Sequence, residues 1–391
     1  MKKRNAAIGG AAFLMATSAI GPGFLTQTSV FTEALLTNFG FVILISVVID
    51  ICVQLNIWRV ITMSGFAAQD LANQLLPGLG VLLAFLIAAG GLVFNIGNIG
   101  GTGLGLEVLT GMDTRYGALI SCLIALGVFG YRKAGSLMDI FTRVLGLLMI
   151  LLTLYIAFSA HPPIGEAVYR SFWPATTDTL KIVTLVGGTV GGYISFAGAH
   201  RLLEAGIKGK ENRQQVSASA VRGILLTSLM RFVLFLAVLG VVWQGVHLDP
   251  ANPLASAFRM AAGKMGYLFF GVVMWSAAIT SVVGASYTSI SFWKTLHPYI
   301  AQHERWMVSG FIIASTVLFL VNPHPVKLLI FAGAANGFIL PLSLVVILII
   351  ATKKRLLNGY HHPVWMQVLG WLVVLAMSWM SVLAVRDSFF K

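Results

Sequence analysis

The chain has 391 residues, of which 58% are hydrophobic and only 10% are charged, and its mean hydropathy is +0.88. Soluble domains carry about 25% charged residues, so this composition excludes a water-soluble globular protein and predicts a lipid bilayer as the main partner. Lys and Arg outnumber Asp and Glu by 26 to 13, which gives a net charge of +13. Because the basic residues lie mainly in short connections between apolar runs, they indicate membrane orientation and not nucleic-acid binding.

Eleven apolar segments follow one another along the chain. A helix needs about 20 apolar residues to span the hydrocarbon core of a bilayer, and most of the segments approach or exceed that length. In chain order they are predicted at 7–36, 40–62, 79–101, 115–131, 137–159, 180–206, 217–244, 264–292, 306–321, 325–350 and 363–385. The connections 160–179 and 245–263 are the longest, and their Pro, Trp and polar residues predict structured surface loops.

The distribution of basic residues predicts which side each connection faces. If the N-terminus is cytoplasmic, seventeen Lys and Arg residues lie on or near the cytoplasmic side and eight on the external side, with Arg231 left within segment seven. Cytoplasmic connections of membrane proteins carry an excess of Lys and Arg. We therefore predict a cytoplasmic N-terminus and an external C-terminus in a bacterial-type cytoplasmic membrane.

Segments one and six contain helix breakers near the middle of the membrane. Gly21-Pro22-Gly23 interrupts segment one, and glycines between 187 and 198 interrupt segment six. Proline removes a backbone donor and glycine weakens a helix, so both segments are predicted to unwind there. Matched breaks in corresponding positions of two halves indicate the binding site of a secondary transporter. The alternative is that these residues only kink the helices or allow close packing.

Several motifs resemble those of the natural-resistance-associated macrophage protein (NRAMP) transporters. Ile20–Phe24 resembles the D-P-G-N break in the first helix of that family, and Gly198–His200 lies where the family has M-P-H. Residues 97–111, 276–288 and 336–342 resemble its third, eighth and tenth helices. The resemblance covers nearly the whole chain.

This resemblance implies a fold class and a function. The family is an all-α polytopic membrane fold of about eleven transmembrane helices, in which two inverted repeats of five helices form the LeuT-like fold with broken helices one and six. By analogy, residues 1–391 form one transporter domain, with 1–160 as the first repeat, 180–350 as the second and 363–385 as an extra helix. The implied function is secondary active transport by alternating access, without enzymatic activity.

The sequence departs from the family at its metal ligands. In metal-transporting members the aspartate and asparagine of D-P-G-N and the methionine of M-P-H bind the ion, whereas Gly21, Phe24 and Gly198 hold those places here. Asn95 and Asn98 stand where the third helix of the family has two acidic residues. Divalent ions prefer carboxylate, imidazole or soft sulfur donors. We therefore predict no metal site, and we expect no cofactor.

The break in segment one favours an anionic substrate. A half-helix that starts after Gly23 presents free N–H groups and the positive end of a dipole, which suits a carboxylate. We therefore predict a small organic carboxylate or an amino-acid-like compound. Residues 16–28 also resemble an NRAMP-like branch linked to 5-oxoproline, a small lactam carboxylate. The predicted substrate-binding residues are Gly21, Pro22, Gly23, Phe24, Thr26, Gln27, Asn95, Asn98, Ala197, Gly198 and His200.

Two groups of residues are candidates for ion coupling. Histidine is the common proton-exchanging side chain near physiological pH, so His200 favours a proton as the coupling ion. Thr280 and Ser281 of segment eight, opposite Thr17 and Ser18 of segment one, offer oxygen atoms for a sodium ion. Hydroxyl groups in membrane helices also commonly bond the backbone of their own helix, so proton and sodium coupling both stay open.

Two other functions are alternatives. One is divalent metal transport of the NRAMP type, with manganese, iron or magnesium as the cation. The more remote one is a channel, although no ring of charged or carbonyl-rich motifs predicts a selectivity filter. Away from the breaks, Cys52 and Cys122 are predicted as small core residues, and His361 and His362 as solvated interface residues. The chain is expected to be a monomer or a weak homo-oligomer.

Overall fold

The computed structural model of the chain describes residues 20–130, 146, 149–294 and 296–389. Within these ranges every regular element is helical and no β-strand occurs. Helices suit a bilayer because they satisfy their backbone hydrogen bonds within one segment. The all-α prediction is therefore confirmed.

The described helices fall on either side of the long connection after residue 172. The helices before it are α1 (Pro22–Leu35), α2 (Phe39–Ser64), α3 (Ala68–Leu75), α4 (Leu79–Thr110), α5 (Thr114–Gly130), α6 (Met149–Ser159) and α7 (Ile164–Phe172). The helices after it are α8 (Thr179–Val190), α9 (Ile194–Glu204), α10 (Arg213–Val242), α11 (Pro253–Lys294), α12 (Pro298–Gln302), α13 (Glu304–Val321), α14 (Pro325–Ala351) and α15 (Val364–Phe389). Among the described residues, eight helical stretches are long and apolar enough to cross a membrane, and α5 and α6 are shorter apolar helices.

The predicted segments agree with these helices except at some of their ends. α4 continues to Thr110, past the predicted end at residue 101. Its glycines allow close packing there, since a Cβ at Gly105 would lie 2.6 Å from the backbone nitrogen of Trp275. Both long connections contain helical residues: α7 lies in the first, and the first part of α11, before a kink at Ala262 and Gly263, lies in the second. The start of segment one and most of segment five fall outside the described residues.

Hydrogen bonds from connections to the ends of helices mark two opposite faces of the helix bundle. On one face, which we call the Lys208 face, the Gly209 N–H donates to the Thr62 carbonyl at 3.0 Å. On the other, the His247 face, the Leu248 N–H donates to Glu33 Oε1 at 2.9 Å. The Lys208 face comprises the connections 65–67, 205–212 and 352–363, and the His247 face comprises 36–38, 161–178 and 243–252. Helices α1, α8 and α9 have their broken ends between these faces.

Candidate substrate site at the two helix breaks

The first break lies immediately before α1. Gly21 is extended, with φ −106° and ψ −172°, and α1 begins at Pro22 without a side-chain cap. The first hydrogen bond of the helix runs from the Leu25 N–H to the Gly21 carbonyl at 3.2 Å. The N–H groups of Gly23 and Phe24 therefore have no partner within the helix, and they point the positive end of α1 into the break.

Gly23 leaves room beside these N–H groups. A Cβ at Gly23 would lie 3.8 Å from its nearest neighbours, among them Gln27 Nε2 and Phe94 Cε1, which is ordinary contact. By contrast, a Cβ at Gly101 would lie 2.6 Å from Pro22. Close packing thus explains Gly101, whereas Gly23 is not required for packing and adds no side chain over the backbone of the break.

The second break separates α8 from α9 at residues 191–193. Asn336 of α14 fixes its backbone: the carbonyl accepts from the Gly192 N–H at 3.3 Å, and Oδ1 accepts from the Tyr193 N–H at 3.2 Å. Its amide nitrogen donates to the Gly90 carbonyl of α4 at 3.0 Å. The predicted unwinding is confirmed, although it is narrower than the glycine-rich stretch. Gly187 lies within α8, where a Cβ would be 2.0 Å from the Gly333 carbonyl oxygen.

Helix α4 brings the two breaks together. Phe94 approaches Gly23 in the first break, and its ring centroid lies 6.3 Å from that of Tyr193 in the second. Asn98 follows one turn later, between Phe94 and Gly101, which both contact the first break. Residues at this spacing share one face of a helix. The buried Asn98 amide therefore lies on the side of α4 that faces the breaks.

A buried arginine joins the two breaks. Arg231 of α10 is 2% exposed, and its guanidinium carbon lies 4.2 Å from the ring centroid of Phe24. Its Nη1 donates to Thr189 Oγ1, in the last turn of α8, at 2.9 Å. Its Nε and Nη2 are buried without a hydrogen-bond partner among the described residues. These two nitrogens share one edge of the guanidinium, the edge that pairs with both oxygens of a carboxylate.

Asp50 of α2 supplies a negative charge beside this arginine. It is 1% exposed and faces both the Arg231 charge and the Thr189 hydroxyl. Its Oδ1 has no hydrogen-bond partner within the described ranges. Thr189 Oγ1 itself donates to the Leu185 carbonyl at 2.9 Å, so its acceptor side is turned to the guanidinium. A carboxylate and a guanidinium thus lie at membrane depth, and each has atoms without a hydrogen-bond partner in the described residues.

The first polar residues that follow Phe24 in α1 are buried, and most of their hydrogen bonds go to backbone carbonyls. Gln27 Nε2 donates to the Leu329 carbonyl of α14 at 3.3 Å, while its Oε1 is buried with no partner in the described part of the chain. Thr26 is buried. Thr28 donates to the Phe24 carbonyl of its own helix at 2.7 Å. Gln27 therefore retains an acceptor one turn from the free N–H groups.

Asn95 points away from the breaks. Its amide nitrogen donates to Ser286 Oγ of α11 at 3.0 Å and to Ser315 Oγ of α13 at 2.9 Å. It therefore braces α4 against these two helices. The structure brings Asn98, but not Asn95, to the candidate site.

The predicted residues of α9 have different surroundings. Gly198 packs against Trp58, where a Cβ would lie 2.8 Å from Cζ2, so the indole fills the space of a side chain at this position. Ala197 is buried. The His200 ring lies 5.3 Å from that of Phe292, and its Nε2 lies 3.5 Å from Glu204 Oε1. His200 is thus oriented toward the end of α9 at the Lys208 face and not toward Arg231.

The hydroxyl candidates for sodium lie only partly within the described residues, so their common site stays a prediction. Thr280 Oγ1 donates to the carbonyls of Ser276 and Ala277 in its own helix, each at 3.1 Å. Thr17 and Ser18 lie outside the described residues. The described residues also contain no group of three or more His, Cys, Asp or Glu side chains that could hold a metal ion.

Sequence reasoning left Arg231, Asp50 and Asn336 out of the site. Arg231 and Asp50 are 181 positions apart, and their electrostatic interaction depends on the packing of α2, α8 and α10. A signal was nevertheless present, because an ionisable side chain inside a membrane segment is itself a functional indication. Asn336 carried no such signal, since an isolated amide in an apolar helix commonly serves helix packing.

Comparison with known proteins covers almost the full chain. A model of natural resistance-associated macrophage protein-like (Nramp) proteins matches residues 12–386. The membrane protein YcsG of Bacillus subtilis is 56% identical over 373 residues, which make up 95% of this chain and 92% of that protein.

Two solved structures share the fold at low sequence identity. The manganese transporter of Eremococcus coleocola has a TM-score of 0.69 at 16% identity, and the match covers 99% of this chain and 87% of that one. MhsT in complex with L-phenylalanine has a TM-score of 0.68 at 16% identity, with coverage of 97% and 98%. These matches confirm the LeuT-like fold. Together with the match along residues 12–386, they establish that the chain is a multi-pass membrane transporter, not an enzyme, and that it belongs to the natural resistance-associated macrophage protein-like family.

Proposed function

We propose that this transporter moves a small organic carboxylate across the bacterial cytoplasmic membrane by secondary active transport. The observation that carries the proposal is the Arg231 guanidinium, buried at both helix breaks with Nε and Nη2 unpartnered among the described residues. A buried guanidinium edge is a strong and geometrically specific partner for a carboxylate. The free N–H groups at the start of α1 add donors and a favourable dipole.

The same charge disfavours a divalent cation. Family membership is equally consistent with metal transport, as in the manganese transporter of similar fold. However, a divalent ion about 4 Å from Arg231 would meet a repulsion of roughly 8 kcal/mol at an effective dielectric constant of about 20. Asp50 is the acidic group at this place, and Gly21, Phe24 and Gly198 offer no side-chain ligand. The site therefore favours an anion.

Neutral polar groups near the arginine favour a substrate with an amide or hydroxyl function. Gln27 Oε1 is an unused acceptor in the described structure, and the Asn98 amide lies on the face of α4 next to the break. The aromatic rings beside the breaks are those of Phe24, Phe94 and Tyr193. The lactam carboxylate 5-oxoproline combines a carboxylate with one amide donor and one acceptor on a compact ring, and it is the first substrate to test.

Binding to the purified transporter tests the anion requirement directly. Thermal stabilisation and calorimetry are measured with 5-oxoproline, other small carboxylates and manganese. The uncharged control is 2-pyrrolidinone, which keeps the lactam and lacks the carboxylate. We expect at least one carboxylate to bind, 2-pyrrolidinone to bind far more weakly, and manganese to bind no tighter than millimolar. Micromolar manganese binding without carboxylate binding would support metal transport instead.

Two arginine-to-lysine variants test whether Arg231 binds the carboxylate. Arg231→Lys keeps the charge but loses the two-nitrogen edge, and we expect the affinity for the carboxylate to fall by about tenfold or more. Arg222→Lys is the matched control, because Arg222 lies on the same helix and is exposed, and its affinity should be unchanged. Equal affinities of Arg231→Lys and the wild type would contradict the assignment.

A further inference from the structure

Asp50 and Arg231 balance each other in the empty site. Both side chains are almost fully buried, and Arg231 is the one charged group that acts on Asp50 among the described residues. The neighbour from α8 is the neutral Thr189, and no charged group from the other helices packed against α2 acts on Asp50 in the described structure. A buried charge without a counter-charge is strongly unfavourable. The empty site therefore holds a carboxylate and a guanidinium, with a net charge of zero.

A bound carboxylate disturbs this balance. The substrate adds one negative charge to a site that has one positive and one negative charge, so the occupied site would carry a net charge of −1 in a region of low dielectric. Electrostatic interactions are strong there, and a carboxylate near a second carboxylate binds a proton more readily. The Oδ1 atom of Asp50 has no hydrogen-bond partner in the described residues, so it is available to be protonated.

We propose that Asp50 takes up one proton when a carboxylate binds to the free edge of Arg231, so that the anion and the proton are carried together. This inference rests on the proposed function. A proton from water forms the O–H bond at Asp50, and the site returns to a net charge of zero with the substrate bound. Release of the substrate restores the pair of Asp50 and Arg231, which expels the proton. Asp50 is thereby the coupling residue of the site.

His200 is less suited to this role on geometric grounds. Its Nε2 lies near Glu204, a residue at the end of α9 with a side chain 43% exposed, and its ring packs against Phe292. Neither contact connects it to Arg231. A proton on His200 would also add a positive charge away from the carboxylate, where it compensates the substrate charge less effectively.

Calorimetry in buffers of different ionisation enthalpy measures the proton directly. With 5-oxoproline, or whichever small carboxylate binds best, we expect the wild type to take up close to one proton per bound ligand. The affinity should accordingly fall by about tenfold for each pH unit within the range in which the occupied site holds the proton and the empty site does not. Carboxylate binding without proton uptake would overturn this inference alone. Failure of every carboxylate to bind would overturn the proposed function, and this inference with it.

Two variants locate the proton. Asp50→Asn should bind the carboxylate without proton uptake and with little dependence on pH, whereas His200→Gln should keep the uptake of the wild type. Persistence of proton uptake in Asp50→Asn, or its loss in His200→Gln alone, would contradict the assignment to Asp50. Because Asp50→Asn leaves the Arg231 charge uncompensated, it should be purified with the carboxylate present. The wild-type measurement tests the inference even if this variant does not fold.

Discussion

The Arg231 guanidinium is positioned by contacts on two sides. The Phe24 ring lies 4.2 Å from its central carbon, and a cation over a desolvated aromatic ring gains about 2 kcal/mol. Thr189 accepts from Nη1 at 2.9 Å while its own proton goes to the Leu185 carbonyl. Nε and Nη2 are thereby left without a partner in the described residues, and two of their three N–H bonds, one on each nitrogen, face the same direction. These contacts fix the orientation of the free edge before a substrate arrives, which reduces the entropic cost of binding.

Thr189→Val tests this positioning. Valine has nearly the same shape but cannot accept the Nη1 hydrogen bond, so a buried donor is left unsatisfied at a cost of about 1–3 kcal/mol. We expect a lower melting temperature of the purified protein and a weaker affinity for the carboxylate. Thr184→Val is the matched control on the same helix, because the buried Thr184 hydroxyl has no partner in the described residues. An equal loss in both variants would show that Thr189 serves packing alone.

At the scale of helices, α14 holds the second break in an open but ordered form. Asn336 bonds the N–H groups of Gly192 and Tyr193 and also the Gly90 carbonyl of α4. Each break therefore has a neighbouring helix that satisfies or contacts its unwound backbone, as non-helical backbone at this depth requires. Helix α4 contacts both breaks, so a relative movement of α1 and α8 would change the contacts along one face of α4.

The connection before α15 is tied to α2 through a second polar cluster. His362 is 8% exposed, and its Nε2 donates to Asn56 Oδ1 at 2.8 Å. Arg59 Nη1 donates to the Tyr360 hydroxyl at 2.7 Å. The expectation that His362 is a solvated residue is wrong, because this connection folds back onto α2, whereas His361 is exposed as expected. Burial, together with the Arg59 charge, lowers the pKa of His362 to about 4.

This histidine makes the stability of the transporter sensitive to acid. An unfolded histidine binds a proton below about pH 6.5, whereas His362 in the folded protein does so only near pH 4. The free energy of unfolding is therefore not reduced by this histidine above about pH 6.5. It decreases as the pH falls toward about pH 4, and the loss is roughly 2 kcal/mol at pH 5. His362→Gln keeps the donor to Asn56 and should lose less thermal stability between about pH 7 and about pH 5 than the wild type does. His361→Gln, at the exposed neighbour, should behave like the wild type, and identical acid sensitivity in both variants would contradict the assignment.

At the scale of the whole molecule, local patterns determine the helices and long-range contacts determine the site. Apolar runs and the Gly-Pro-Gly motif were sufficient to predict the spans and the first break, because both depend on neighbouring residues. The meeting of Asp50, Thr189 and Arg231 was not predictable, since these residues lie on three helices that are distant in sequence. The sequence pattern places Gly187 and Gly198 in an unwound stretch. In the structure they lie within helices and allow close packing against other helices, and the sequence alone does not show which helices those are.

The charges of the two faces predict the orientation of the transporter in the membrane. The connections 205–212 and 352–363 of the Lys208 face contain Lys208, Lys210, Lys353, Lys354 and Arg355, whereas 243–252 of the His247 face contains no Lys or Arg. Basic connections are retained in the cytoplasm, so the Lys208 face should be cytoplasmic.

Single cysteines test this orientation in a background in which the free thiols of Cys52 and Cys122 are replaced by serine. The His247 side chain is 97% exposed, so His247→Cys should react with a membrane-impermeant maleimide on intact cells. Lys208→Cys, at an exposed position of the opposite face, should react only after the membrane is permeabilised. The reverse pattern would place the Lys208 face outside, and the positive end of α1, which points from the break toward the Lys208 face, would then receive its anion from the external side.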